Sequence, residues 1–350
     1  MSGKKVFVGV RTYNSSSTLD DTFSCLSSQT YPNMKIVVYD DKSTDDTLSR
    51  LKIWKNKLSS RGIEMDIIES DAPSNEGCAV AFEKMGRAVA RQIGDDDIYL
   101  QIDSDDTFAH KNVVADIVNQ MEKNDANVCV IGYDLIGDLN LAINWNNGTP
   151  HNKMSHRLAQ AGAATVKEIP EMSSDLDSMG CTKILTGKLF KRYMDSYPTL
   201  SKDMNVCEDF PTLAMLLYKD AKITGLNENV YNYFKHPQSS TAQIVQPEAF
   251  KVVRIGFLKA LQKMVKDKPE DFVENAQDHV NAFLRTKCMV ISGIVDKKSK
   301  EGYLTGYTKA DFIKDFHENI DCSKLNLPPE LRYTSPEITN AIIEAKSKKK

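Results

Sequence analysis

An alternation near the N-terminus constrains this chain more than any other feature. Short apolar, largely β-branched runs at Lys5–Val10, Lys35–Tyr39, Asp66–Glu69 and Ile98–Ile102 are separated by amphipathic stretches at Thr18–Ser28, Thr44–Leu58 and Val80–Ala90. The spacing predicts strands alternating with helices, which indicates a parallel sheet with right-handed crossovers. In such a sheet, ligands bind beyond the carboxyl ends of the strands. Three of the strands end in polar clusters: Arg11-Thr12-Tyr13-Asn14 after the first, Asp40-Asp41 after the second, and Asp103-Ser104-Asp105-Asp106 after the fourth. These are expected to converge on one crevice.

The last cluster carries the most chemistry. Two carboxylates about 4 Å apart repel by roughly 4 kcal/mol at an effective dielectric near 20, so crowding them calls for a cation between them. Oxygen ligands at a strand end suit Mg²⁺ or Mn²⁺, which one or two carboxylates hold together with substrate phosphates. The competing reading is a solvated acidic turn, or acids favouring the N-terminus of a helix expected at about Lys111–Lys123.

Composition excludes several classes. The 350 residues are 41% hydrophobic and 27% charged, which argues against a disordered chain and against a membrane protein. No apolar run approaches the roughly 18 residues that span a bilayer. A net charge of −3, with no basic patch interleaved with aromatics, argues against a nucleic-acid partner. Met1-Ser2-Gly3-Lys4-Lys5 leads straight into the first strand, so neither a leader nor an anchor is expected. The seven cysteines, Cys25, Cys78, Cys129, Cys181, Cys207, Cys288 and Cys322, show no CxxC spacing and read as reduced thiols of a cytoplasmic protein. The sequons at Asn14 and Asn147 would matter only for a secreted chain.

The second half reads as a strand at Val128–Tyr133, an Asn- and Gly-rich loop at Asn144–Asn152, and Cys181–Leu185 followed by a helix at Gly187–Tyr193. Cys207-Glu208-Asp209-Phe210-Pro211 then leads into an apolar helix at Thr212–Tyr218, and Val230–Phe234 is a late strand. From about Pro247 helical periodicity dominates, including Phe250–Val265 and Val280–Ile294, and the chain ends in a basic tail, Lys346–Lys350. This divides the chain at 1–245 and 246–350, the second part a helical appendage.

In their order, Thr12-Tyr13-Asn14, Val38-Tyr39-Asp40-Asp41-Lys42-Ser43-Thr44-Asp45, Asp103-Ser104-Asp105-Asp106 and Glu208-Asp209 resemble the family 2 glycosyltransferases. Lys183–Phe190 and Tyr231–Thr241 resemble the segments around the acid pair. The resemblance covers about Lys4–Thr241. It implies a GT-A fold: an α/β, Rossmann-like, mainly parallel sheet flanked by helices. It also implies an inverting, metal-dependent transferase that moves a sugar from a nucleoside diphosphate, UDP-linked by expectation, to a hydroxyl of a glycan or glycolipid in polysaccharide biosynthesis. The family often carries an Arg-Asn pair on the helix after Asn-x-Gly. Here Asn75-Glu76-Gly77 is followed by Phe82-Glu83, which leaves Lys84, Arg87, Arg91 or no residue for the basic contact.

By this resemblance, Thr12, Tyr13 and Asn14 surround the base or ribose, and Asp40 or Asp41 accepts a hydrogen bond from the base. Asp103, with Ser104 beside it, approaches the ribose or a metal-bound water, and Asp105 binds Mn²⁺ or Mg²⁺. Asp209, assisted by Glu208, is the general base, and His236 is a further candidate metal or pyrophosphate ligand. Each has a structural counterpart: a polar turn for Thr12–Asn14, a helix cap for the residues after Asp41 and for Glu208-Asp209, an exposed loop residue for His236. Asp106 is read as structural, capping the next helix. A catalytically silent protein of the same fold that binds nucleotide-sugar or glycan is the alternative. For the C-terminal helices, an acceptor site, a homodimer contact and peripheral docking on a membrane stay open.

Overall fold

The computed structural model describes residues 3–137, 179–197, 210–235 and 255–333, together with 155, 158–160, 162 and 164. Eight strands form one sheet: β1 (Val6–Thr12), β2 (Met34–Asp40), β3 (Glu64–Glu69), β4 (Ile98–Asp103), β5 (Thr107–Phe108), β6 (Val128–Gly137), β7 (Lys183–Thr186) and β8 (Ile223–Lys235). Their spatial order is β3-β2-β1-β4-β7-β6-β8-β5. The expected parallel half is present, with β1 between β2 and β4 and β2 between β1 and β3. Beyond it the sheet is mixed, because β7 runs antiparallel to both β4 and β6, and β5 runs antiparallel to β8.

Side chains alternate across each strand, so the two faces can be read from the sequence. Val6, Val8 and Val10 of β1, with Ile98, Leu100 and Ile102 of β4, pack on one face against α1 (Leu19–Ser28), α2 (Thr47–Ser59) and α4 (Val113–Lys123). Phe7 and Tyr99 point to the other face, against α3 (Cys78–Ala90) and α5 (Gly187–Ser196). The connections from β1 to β2 and from β2 to β3 therefore cover one face, and the connection from β3 to β4 covers the other. That change of side falls between β1 and β4, the place where an open α/β sheet leaves a crevice at its carboxyl edge.

The chain continues through α6 (Leu213–Leu217), α7 (Ile255–Asp267), α8 (Ala276–Lys300) and α9 (Lys309–Asn319). The last three extend the apolar cluster on the α3 face: Phe257, Leu284, Phe312 and Phe316 join Tyr99, Phe190 and Leu216 in one buried set. Main-chain bonds fasten the junction, Val273 N–H to Leu217 O at 2.9 Å and Lys219 N–H to Asp271 O at 3.0 Å, and the rings of Tyr218 and Phe272 stack 4.9 Å apart. Sequence periodicity indicated α7 and α8 but not α9. Its signal is a capping box, Thr308 with Asp311, each side chain bonded to the other's backbone N–H.

Candidate donor site

Hydrogen bonds join the polar clusters after β1, β2 and β4. From the first loop, Asn14 N–H donates to Ser43 Oγ at 2.9 Å, and its Oδ1 accepts from Thr44 N–H at 2.8 Å. Ser15 N–H donates to Thr47 Oγ1 at 2.8 Å, and Ser16 N–H to Asp45 Oδ2 at 3.1 Å. Asn14 takes φ +48° and Lys42 φ +63°, so each loop turns through a left-handed residue. The first loop is tied to the fourth strand's turn as well: Ser15 Oγ lies 2.8 Å from Ser104 Oγ, and Thr18 Oγ1 donates to Ser104 O at 3.0 Å. The expected convergence is therefore built from direct contacts.

Within this crevice the sequence-predicted residues differ in their surroundings. Tyr13 is 44% exposed at its rim. Thr12 is buried, and among the described residues its Oγ1 finds no hydrogen-bond partner, an orphaned polar atom behind the loop. Asp40 and Asp41 are both buried. Asp40 accepts from Ser43 N–H at 3.1 Å and Ser43 Oγ at 2.5 Å. Asp41 accepts from Gly77 N–H at 2.7 Å and Glu76 N–H at 2.9 Å, which fastens the loop entering α3, where Gly77 adopts φ +97°. Burial raises the Asp41 pKa, against the lowering effect of those two N–H donors. Ser104 is buried, with its hydroxyl paired to Ser15.

At the turn after β4, Asp103 and Asp105 are partly exposed while Asp106 is fully buried. Asp103 Oδ1 accepts from Arg11 Nη2 at 2.9 Å and Nε at 3.2 Å. Asp106 departs from its expected place as a helix cap. It accepts from Tyr231 Oη at 2.6 Å and Phe234 N–H at 2.8 Å, so it fastens the turn to β8, while α4, with Asn112 at its N-cap, has no side-chain cap bond. Burial, then the charges of Asp105 and Asp103, push its carboxyl well above the ordinary carboxylate range. Lys235, at the end of β8, is buried and feels the charges of Asp106, Asp105 and Asp103. Burial lowers its pKa in spite of them.

A hard divalent ion fits this donor set. Asp103 and Asp105 offer only oxygen, sit at a strand end, and keep partial solvent access through which a diphosphate and water could complete the coordination. A second group, His110, Asp116 and Glu228, also brings ligand atoms together, within 4.8 Å. It includes none of the predicted ligands. Moreover, its His110 is already engaged, with Asn112 N–H donating to Nδ1 at 3.3 Å and Nε2 lying 3.6 Å from Glu228. Glu208, Asp209 and His236 lie outside the described residues.

The three candidates for the basic contact are placed as follows. Lys84 pairs with Glu76. Arg87 bonds Glu83 at 2.8 Å and the carbonyls of Met194 and Tyr197 at 3.3 and 3.2 Å, which ties α3 to the end of α5. Arg91 is exposed at the C-cap of α3. The guanidinium that reaches the acidic turn is Arg11, to which sequence reasoning gave no role. Its signal becomes visible only through strand pairing, because Arg11 and Asp103 are direct partners across β1 and β4.

Residues 7–169 match glycosyl transferase family 2. Over 339 residues the chain is 23% identical to the poly(ribitol-phosphate) beta-N-acetylglucosaminyltransferase TarS of Staphylococcus aureus strain Mu50, with 94% of this chain and 53% of TarS covered. The chain thus spans about half the length of the curated relatives it matches. Among solved structures, the crystal structure of S. aureus TarS superimposes with TM-score 0.51 and 19% identity, covering 89% of this chain and 54% of that one. TarS 1–349 in complex with UDP-GlcNAc gives TM-score 0.53 and 16% identity, with 95% of each chain covered. The shared fold is GT-A, as the sequence predicted.

Proposed function

With residues 7–169 matching glycosyl transferase family 2, we propose that the chain is an inverting, metal-dependent glycosyltransferase using a UDP-linked sugar and a hydroxyl acceptor on a glycan or glycolipid. The observation that carries this reading is the turn Asp103–Asp105, whose two carboxylates are partly exposed at the crevice between β1 and β4 and which hydrogen bonds join to β1 and to the loop after it. TarS, a relative with the same fold, has been crystallised with UDP-GlcNAc, which favours an N-acetylhexosamine linked to UDP as the donor.

In this reading Tyr13 and Asn14 border the nucleoside, and Asp40 or Asp41 accepts from the base through a lone pair left over from its loop contacts. Asp103 faces the ribose, and Asp105 is the principal ligand of Mn²⁺ or Mg²⁺. When bound, the ion supplies Lewis acidity that balances charge developing on the diphosphate. Asp209 takes the acceptor's proton as its oxygen bonds to the anomeric carbon. The bond to the diphosphate oxygen breaks on the opposite side, which inverts the configuration. Glu208 and Asp209 are adjacent like charges, so repulsion between them would raise one of the two pKa values, and His236 would be a further ligand for metal or pyrophosphate.

A panel of nucleoside diphosphate sugars, followed by NMR of the anomeric product, tests the reaction. Inversion from a UDP-sugar is expected, and retention would exclude the mechanism. Asp209→Asn should lower kcat by at least about 100-fold while leaving UDP affinity in place. Asp105→Ala should weaken Mn²⁺ binding in the presence of UDP, read by calorimetry. Equal affinity would remove Asp105 as a ligand.

A further inference from the structure

Asp103 is held through one oxygen. Both donors on the Nε edge of Arg11 converge on Oδ1, at 3.2 and 2.9 Å, and Gln101 Nε2 adds a contact to the same atom at 3.4 Å. Among the described residues no hydrogen bond is made to Oδ2. The main chain is fixed too, because Asp103 N–H donates to Tyr231 Oη at 3.2 Å. Arg11 has anchors of its own: Nη1 donates to Cys78 O at 3.1 Å, at the start of α3, and the guanidinium carbon lies 6.0 Å from the centre of the Phe82 ring. Its side chain is 11% exposed. A planar, anchored guanidinium that presents two donors to one carboxylate oxygen fixes the plane of that carboxylate, which a lysine ammonium cannot do.

We propose that Arg11 is a positioning residue of the donor site: it clamps Oδ1 of Asp103 so that Oδ2 is presented to a ribose hydroxyl of the nucleotide, leaving the metal to Asp105. This rests on the donor-site reading above. It assigns to β1 the cation that the Phe82-Glu83 segment of α3 does not provide, and the two are in contact, since Arg11 lies over Phe82. The consequence is that nucleotide selectivity at the sugar ring is set through Arg11, although Arg11 itself faces Asp103 and α3.

The test is calorimetric binding of UDP, and of its analogues lacking one or the other ribose hydroxyl, to the full chain with saturating Mn²⁺. Wild-type protein should prefer UDP over one of the analogues by about tenfold, the worth of a hydrogen bond to a charged acceptor. Arg11→Met, and Arg11→Lys, which retains the charge, should both reduce that preference to within about twofold. In an Asp103→Asn background, Arg11→Met should add no further loss. Preserved discrimination in both Arg11 variants, or full additivity of the two substitutions, would overturn the proposal. Wild-type protein that binds UDP without discriminating would overturn it while leaving the donor site standing. Wild-type protein that binds no nucleoside diphosphate would overturn the donor-site reading and this inference with it.

Discussion

Asp45 shows how a single carboxylate links folding to pH at the mouth of the crevice. Burial acts to raise its pKa, but the donors of Thr47 and Ser16 outweigh burial and hold it at about 2. The folded value lies below the ordinary aspartate value, so the stability these bonds give is complete above about pH 4 and is lost as the pH falls toward about 2. Asp45→Asn should therefore be less stable than wild type near neutrality, with the gap in urea midpoint narrowing between about pH 5 and about pH 3. A gap that stays constant would show that the charge on Asp45 is not what matters. At the same scale, the resemblance to the family 2 glycosyltransferases implied different work for Asp103, Asp105 and Asp106, with Asp106 structural. Its actual partners, Tyr231 and Phe234, are more than a hundred positions away, and no local pattern announces them.

Among the elements, the four parallel strands β1 to β4 and the helices between them were legible because each has its own periodicity and a polar boundary, whereas the two-residue β5 was not. β7 was harder, since a four-residue strand antiparallel to both neighbours owes its existence to β4 and β6 rather than to its own pattern. The helix after it, α5, docks closely. Gly187 N–H donates to Asp97 O at 2.7 Å, and a Cβ at Gly187 would lie 1.9 Å from Gly94 O. That contact is with backbone and cannot be relieved by a rotamer change. Gly187→Ala is expected to destabilise the protein by about 1–3 kcal/mol in urea unfolding. An unchanged midpoint would mean that the loop before β4 yields without cost.

Across the whole molecule, the helices after residue 255 share their apolar cluster with the α3 face of the sheet. Phe316→Ala removes a fully buried ring from α9 and should cost about 3–5 kcal/mol. Trp54 lies on the opposite face of the sheet, against α1, and reports on that layer. If the shared cluster couples the two parts, Trp54 fluorescence and helical circular dichroism should shift to a lower urea midpoint together in the Phe316→Ala protein. A fluorescence transition left at its wild-type midpoint would instead support the division at residue 245 as two separately folding units. Sequence periodicity marked this region as helical. It did not disclose which face the helices cover, because an amphipathic helix specifies that it needs an apolar partner and not which one.

The sequence by itself determined the alternation of strand and helix, the polar strand ends and their meeting in one crevice, because each depends on local periodicity or on short runs of residues. Tertiary structure decided the antiparallel insertion of β7, the burial of Asp106 against β8, the loop contacts of Asp40 and Asp41, and the pairing of Arg11 with Asp103. These depend on strand order and on which face a side chain takes. Both are set by the packing of segments far apart in the chain, where the cost of burying a charge or a polar group is met by whatever partner the fold brings beside it.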